Sequence, residues 1–246
     1  MGAIELLLVR HGESVANAAA AAAEAAGAET IAVPTRDADV ALSPTGIRQA
    51  EALGSFLGAL PATEQPQLIW SSPYLRARQT AALAIETAGI QLPLQIDERL
   101  RDRELGVIDA LTRLGVQQRL PLEAERCRWL GKFYYRPPGG EAWTDVALRL
   151  RSLLIDLDRD GADARVLLVC HDAVIMVLRY VCEGLTEEEL LHIASITQIA
   201  NSSLTRLVRP AGTGRWQLSS FNRVEHLAQR GAPVTRPPED SDALPA

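Results

Sequence analysis

Apolar runs alternate with stretches of helical spacing along most of the chain. Ile4-Glu5-Leu6-Leu7-Leu8-Val9 is apolar at all but one position and reads as a buried strand. Leu68-Ile69-Trp70, residues 91–96 and Val166-Leu167-Leu168-Val169-Cys170 read as further strands. Ser43-Pro44 opens a helix, with Ser as the N-cap and Pro at the first helical position. Ile47, Ala50, Leu53, Leu57 and Leu60 then share one face. Ser72-Pro73 repeats the cap signal ahead of a helix that runs to about Ala88, where Gly89 stops it. Residues 97–106 form a charged loop, and residues 107–131 are helical but weakly patterned. Arg136-Pro137-Pro138-Gly139-Gly140 breaks the chain before a clear stripe at Trp143, Val146, Leu150, Leu153, Leu154 and Leu157. Helices are expected over residues 173–182 and 187–194. Residues 203–208 and 216–220, joined through Gly212 and Gly214, read as an antiparallel hairpin.

Strands that alternate with helices predict βαβ units. The expected fold is α/β: a three-layer α/β/α sandwich with a mostly parallel central sheet and one antiparallel edge element. The 246 residues suit one such domain, taken as residues 1–230, with cap insertions near 15–41 and 107–138. Residues 15–28, nearly all Ala, read either as a helical insertion over the site or as a plain surface helix. Residues 231–246, rich in Pro and acids, read as a disordered tail.

Hydrophobic residues at 47% supply a packed core. The net charge of −6 argues against general nucleic-acid binding, which needs a basic face, but not against a small anionic substrate held by a few local arginines. No run reaches the roughly 18 apolar residues of a membrane span, and the first residues lack the pattern of a signal peptide. Cys127, Cys170 and Cys182 form neither a CxxC pair nor an even set, so a disulfide framework and a zinc site are both disfavoured. The expected compartment is the reducing cytoplasm. The oligomeric state is left open, with a homodimer among the options.

The chemistry concentrates where two apolar strands end. The first ends in Arg10-His11-Gly12 and the later one in His171. Open α/β sheets put ligands at the carboxyl ends of their strands, and adjacent parallel strands would set His11 beside His171. A guanidinium next to an imidazole suits a phosphate, one group to bind it and one to attack it. Arg76 falls in the first turns of a helix, whose free N–H groups and dipole already favour an anion, and it adds a planar bidentate donor. His192 and His226 have no such context and read as surface or structural residues.

Six segments together resemble the histidine phosphatase superfamily, in its phosphoglycerate mutase-like branch. They are LVRHGESVAN from Leu8, LSPTGIRQA from Leu42, SSPYLRARQTA from Ser71, LRDRELG from Leu100, PGGE from Pro138 and LVCHDAV from Leu168. The resemblance implies a phosphohistidine mechanism. His11 would attack phosphorus as a neutral imidazole. Arg10, Arg76 and His171 would surround the phosphoryl oxygens, and Asn17 would donate a further hydrogen bond. No cofactor or metal is implied. The proton donor is where the chain departs from the branch, which usually carries Glu at the position of Asp102. Asp172, directly after His171, is the second candidate, since the related acid phosphatase branch uses an Asp there; it also reads as an N-cap. Glu104 is a third. A donor would need its pKa raised toward the working pH.

The expected function is therefore a phosphomonoesterase acting on a small phosphorylated metabolite. A phosphoglycerate mutase-type transferase is the alternative, and the chain lacks the aromatic-rich stretch and the basic elements of the glycolytic mutases. A non-catalytic phospho-ligand-binding protein on the same fold is the other alternative. Specificity would lie in the two insertions, where Arg126, Arg128, Lys132, Tyr134, Tyr135 and Arg136 either contact a second anionic group or form a solvated helix face.

Overall fold

The computed structural model describes residues 2–209 and 213–237. β1 (Glu5–Arg10) is followed by α1 (Val15–Ala25), α2 (Pro44–Ala59), β2 (Leu68–Ser71), α3 (Leu75–Ala88) and β3 (Leu94–Ile96). Then come α4 (Arg113–Arg119), α5 (Pro121–Tyr134), α6 (Trp143–Asp160), β4 (Arg165–Cys170) and α7 (Asp172–Arg179). α8 (Glu187–Ile196), β5 (Leu204–Val208), β6 (Gln217–Arg223) and α9 (Glu225–Gln229) complete the described elements. The six strands form one sheet in the order β3-β2-β4-β1-β5-β6. β1, β2, β3 and β4 run parallel, and β5 pairs antiparallel with both β1 and β6. This is the expected α/β architecture with its antiparallel edge.

Alternation along the buried strands builds the three layers. Leu6 and Leu8 pack with α6 and α7 in one apolar cluster, whereas Leu7 and Val9 pack with α2 and α3 in another. Leu168 and Cys170 go with the first face, Leu167 and Val169 with the second. β1 and β4 are central and covered on both faces, which is why they read as near-continuous apolar runs. No helix among the described residues is long and apolar enough to cross a membrane.

Several elements differ from expectation. α3 begins at Leu75 with Tyr74 as N-cap, not at Ser72-Pro73; the Ser72 hydroxyl accepts from the Tyr74 amide at 3.2 Å and also makes a tertiary contact described below. Ile47 is exposed, because α2 buries Gly46, Gln49, Ala50, Leu53 and Leu57. The third strand is only Leu94–Ile96. The helix after β4 ends at Arg179 in a wider turn over Tyr180–Gly184. His171 is the N-cap of α7, so Asp172 is its first helical residue rather than its cap. Residues 231–237, expected within a disordered tail, are packed: Ala232 is buried against Ala52 and Leu227. Gln49 Nε2 also donates to the Pro233 carbonyl and the Thr235 hydroxyl. The remainder of that expected tail, 238–246, and Gly212 of the hairpin lie outside the described residues.

The loop after β1 is held by close backbone packing. Gly12 N donates to Thr80 Oγ1 at 2.9 Å, and Glu13 N to Gln49 Oε1 at 2.8 Å. Gly12 and Gly46 face each other so closely that a Cβ on Gly46 would lie 2.0 Å from the Glu13 carbonyl oxygen. Backbone on both sides of that contact leaves no side chain to yield. Gly46→Ala should therefore destabilise the protein by about 3 kcal/mol, read as a lower urea midpoint. Ala at Gly27, which meets nothing within 4 Å, should cost about 1 kcal/mol through its positive φ of 61° alone.

Candidate active site

β1 and β4 are register partners, with Arg10 opposite Cys170, so the residues that follow them emerge side by side. The rings of His11 and His171 stand 5.1 Å apart, centroid to centroid. Arg76, in the first turn of α3, closes the third side: its Nε lies 3.2 Å from His11 Nε2. Arg10, His11, Arg76 and His171 are all buried. The sequence expectation that these four come together is met.

Two contacts fix the state of His11. Its Nδ1 is 2.7 Å from the Gly12 carbonyl oxygen, which can only accept, so Nδ1 carries the proton. Nε2 receives the Arg76 N–H, so its lone pair is unprotonated and turned toward the arginine. Burial lowers the His11 pKa well below the ordinary histidine value, and the neighbouring Arg76, His171 and Arg10 charges push it the same way. The ring is a neutral imidazole with a defined nucleophilic nitrogen.

His171 is held from both ends. Nε2 lies 2.8 Å from Ser72 Oγ, and Nδ1 lies 3.0 Å from Asp102 Oδ2. Burial lowers its pKa, and Asp102 opposes that shift only in part. The Tyr74 ring stands edge-on to His171 at 5.2 Å and lies beneath the Arg76 guanidinium. Tyr74 OH donates to Glu104 Oε1 at 2.7 Å. Glu104, the third acid candidate, is thus committed to a tyrosine.

Asp102 reaches the centre of the site. Oδ2 accepts from Arg76 Nη2 at 2.9 Å as well as facing His171. Burial pushes its pKa up, but the His171 contact and the Arg76 charge outweigh this and hold it well below the usual carboxylate range. That is opposite to the upward shift a resting proton donor needs. Asp172 also lines the cleft, but its Oδ1 accepts from the Ala173 amide at the start of α7.

Arg10 donates from Nη1 to the Ile199 carbonyl at 2.6 Å. Asn17 lines the cleft as expected, and it has a structural task that the sequence reading missed. Its Oδ1 accepts from Ser14 N at 3.0 Å, half of the capping box of α1, and from Asn201 Nδ2 at 3.2 Å. This leaves the amide nitrogen as its donor end. Four further residues of the site escaped sequence reasoning: Ser72, Tyr74, Asp37 and Asp109. Asp37 gives both carboxylate oxygens to Arg76, at 2.9 and 3.1 Å, and its carbonyl accepts from Arg76 Nη1 at 2.6 Å.

One ligand atom from each of His11, Asp102 and His171 falls within 4.8 Å of the others, a spacing that suits a metal ion. Arg76 touches both His11 and Asp102, and Arg10 is buried beside them. Two guanidinium groups at that point favour an anion over a divalent cation.

The basic-aromatic segment takes the second of its two expected readings. Arg136 pairs with Asp145, Lys132 lies over the Trp143 ring, Arg126 and Arg128 are exposed on α5, and none of them lines the cleft.

The chain is similar to known proteins over most of its length. Residues 6–223 match the family described as the histidine phosphatase superfamily (branch 1). A glucosyl-3-phosphoglycerate phosphatase of Mycolicibacterium vanbaalenii is 32% identical over 236 residues, covering 91% of this chain and 96% of the relative. A probable fructose-2,6-bisphosphatase of Schizosaccharomyces pombe is 32% identical over 154 residues, but this covers 62% of the chain and only 35% of that protein. The solved structure of a mycobacterial glucosyl-3-phosphoglycerate phosphatase complexed with VO3 superposes with a TM-score of 0.70 at 28% identity, covering 90% of this chain and all of that one.

A lowered histidine pKa makes folding pH-dependent. Below 6.5 the unfolded chain protonates this imidazole while the folded protein does not, so stability is full above 6.5 and falls as pH drops toward the folded pKa. The share of His11 should approach about 1.4 kcal/mol per pH unit across that window. Urea unfolding at pH 7.5 and 5.5 should show a smaller loss for His11→Gln than for the parent protein. Imidazole nitrogen shifts should report the Nδ1–H tautomer of His11 throughout.

Proposed function

The chain belongs to the histidine phosphatase superfamily (branch 1), and from that membership we propose that it is a phosphomonoesterase working through a phosphohistidine on His11. The neutral, tautomer-fixed His11 with its unprotonated Nε2 beside Arg76 carries this reading. His11 Nε2 attacks phosphorus in line with the ester oxygen. Arg10, Arg76, His171 and the Asn17 amide hold the other phosphoryl oxygens and stabilise the charge that develops on them. Water then hydrolyses the phosphohistidine and returns His11 to its starting state. We assign catalysis to one domain over residues 1–230, with the segments near 15–41 and 107–138 forming its cap. The buried thiols of Cys127, Cys170 and Cys182, none of them in a disulfide, fit a cytoplasmic location.

Asp102 is the assigned proton donor. In the free protein it is ionised, so its proton must arrive with substrate. A phosphoryl group at Arg76 brings negative charge against Asp102 and shares its cation, and both effects raise the carboxyl pKa. The substrate monoanion, with a second pKa near 6, supplies the proton. A bisphosphate-dependent mutase is also named among the relatives, in Methylobacterium radiotolerans at 29% identity. The monoesterase reading requires hydrolysis of an aryl phosphate to outrun isomerisation of phosphoglycerates.

His11→Ala should lower kcat at least a thousandfold, on the scale seen when a nucleophile is removed, and protein quenched in alkaline detergent should lack the base-stable, acid-labile phosphoryl label that the parent carries. Asp102→Asn should depend on the leaving group. With an alkyl phosphate, whose alcohol must be protonated, kcat should fall about a hundredfold or more. With 4-nitrophenyl phosphate it should fall less than tenfold. Equal losses on both substrates would remove Asp102 from the donor role.

A further inference from the structure

The cleft beyond the phosphoryl site has a composition that the phosphatase reading does not use. Together with the phosphoryl site it has a volume of about 200 Å³. Ala16 and Ala20 from α1, Ile31 and Val33 from the following loop, Leu105 just before the second insertion and Leu111 within it form apolar walls. The two insertions are joined there: Ile31 N donates to the Ala110 carbonyl at 2.8 Å and Thr112 N to the Glu29 carbonyl at 3.1 Å. The wall is one built surface rather than two independent loops.

The charged groups in this cleft are three arginines and four aspartates. Arg10 and Arg76 belong to the phosphoryl end. Arg103 is 4% exposed, and its guanidinium is turned to main-chain carbonyls, with Nε donating to Glu141 O at 2.7 Å and Nη2 to Tyr135 O at 3.4 Å. Its Nη1 is buried from solvent and has no hydrogen-bond partner among the described residues. Arg103 therefore offers almost no accessible guanidinium surface to the alcohol of a bound ester. Carboxylates do face it. Asp109 lines the wall, with its Oδ1 accepting from the Ala110 amide at 2.9 Å. Asp37 sits between this wall and Arg76 and holds the arginine with both oxygens. A phosphoryl group that takes Arg76 must displace that carboxylate, which then stands in the cleft without its cation.

We propose that the alcohol-binding half of the cleft selects phosphate monoesters whose alcohol is apolar or neutral, and that Asp37 and Asp109 set this selection against a second anionic group. This inference rests on the monoesterase reading above. It separates the chain from the relatives named for glucosyl-3-phosphoglycerate and fructose 2,6-bisphosphate, since a carboxylate or second phosphate would meet apolar side chains and two aspartates.

Three primary-alcohol esters of similar intrinsic reactivity test it: benzyl phosphate, glycerol 3-phosphate and 3-phosphoglycerate. The last two differ mainly by the carboxylate. The parent protein should favour glycerol 3-phosphate over 3-phosphoglycerate at least tenfold in kcat/KM, chiefly through KM, with benzyl phosphate best of the three. In Asp37→Asn/Asp109→Asn that preference should narrow at least threefold; a merely structural effect would lower both substrates together and leave the ratio. A parent ratio near one, or a ratio unmoved by the double substitution, overturns the proposal. Calorimetry with benzylphosphonate and 3-phosphonopropionate reads the same choice without turnover. Absence of hydrolysis of every ester would count against the phosphatase reading alone. The cleft proposal would then still be upheld by tighter benzylphosphonate binding and overturned by equal binding.

Discussion

The guanidinium of Arg76 is the group on which the site is organised. It is buried, and a buried cation is tolerated only when its donors are met by charge or by well-placed acceptors. Here they are divided among His11 Nε2, both oxygens and the carbonyl of Asp37, and Asp102 Oδ2. One planar fork therefore sets the tautomer of one histidine, the ionisation of the carboxylate that faces the other, and the position of a cap loop. Lysine could not replace it, because a single ammonium cannot span three partners in a fixed plane. The backbone beneath it is tied to the same network: Thr80 Oγ1 donates to the Arg76 carbonyl at 2.7 Å and accepts from Gly12 N. The loop after β1 and the first turns of α3 thus keep one relative position.

The parts of this arrangement that were legible in the sequence share a physical feature. β1 and β4 are covered on both faces, so they appear as unbroken apolar runs, and a histidine at the end of each stands out. Arg76 was visible because a helix start is marked locally. The misreadings come from contacts between residues far apart in the chain. Ser72-Pro73 has the form of a cap, yet its hydroxyl serves His171, 99 residues away. Ile47 has helical spacing with Leu53 and Leu57, but α2 turns its small residues inward to meet the Gly12 loop. Asp37 lies in a segment with no periodicity, and nothing local indicates that it closes on Arg76. Asp102 was placed by resemblance to other chains and not by any pattern in its own loop.

The joining of the two insertions repeats this logic on a larger scale. Residues 29–31 and 110–112 pair through backbone groups, Thr112 Oγ1 donates to the Ala28 carbonyl at 2.6 Å, and a Cβ on Gly115 would fall 1.8 Å from the Glu29 carbonyl oxygen. Ala110 holds a φ of 56°, a conformation that costs a non-glycine residue about 1–2 kcal/mol. The chain accepts that cost where its carbonyl meets Ile31. Two segments some eighty residues apart become one wall, and the composition of that wall, not the phosphoryl cradle, is what differs from a site built for a second anion.

The short side chain of Asp102 has its counterpart in the loop that carries it. Aspartate lacks one methylene of the glutamate usual in the resembling branch, so its backbone must approach the site more closely or its partners must come to it. Arg149 Nη2 donates to the Asp102 carbonyl at 3.2 Å, Asp102 Oδ1 accepts from Arg103 N at 2.9 Å, and Arg103 and Arg149 are both anchored to Glu141. These bonds fix the loop from behind and leave Oδ2 for His171 and Arg76. The low pKa that results follows from the same closeness, since a carboxylate near enough to serve the leaving group is also near enough to be ionised by Arg76. His171 and Arg76 together hold it low, and a ligand that competes for the guanidinium opposes this, so the proposed donor Asp102 gains its proton as the phosphoryl group is seated.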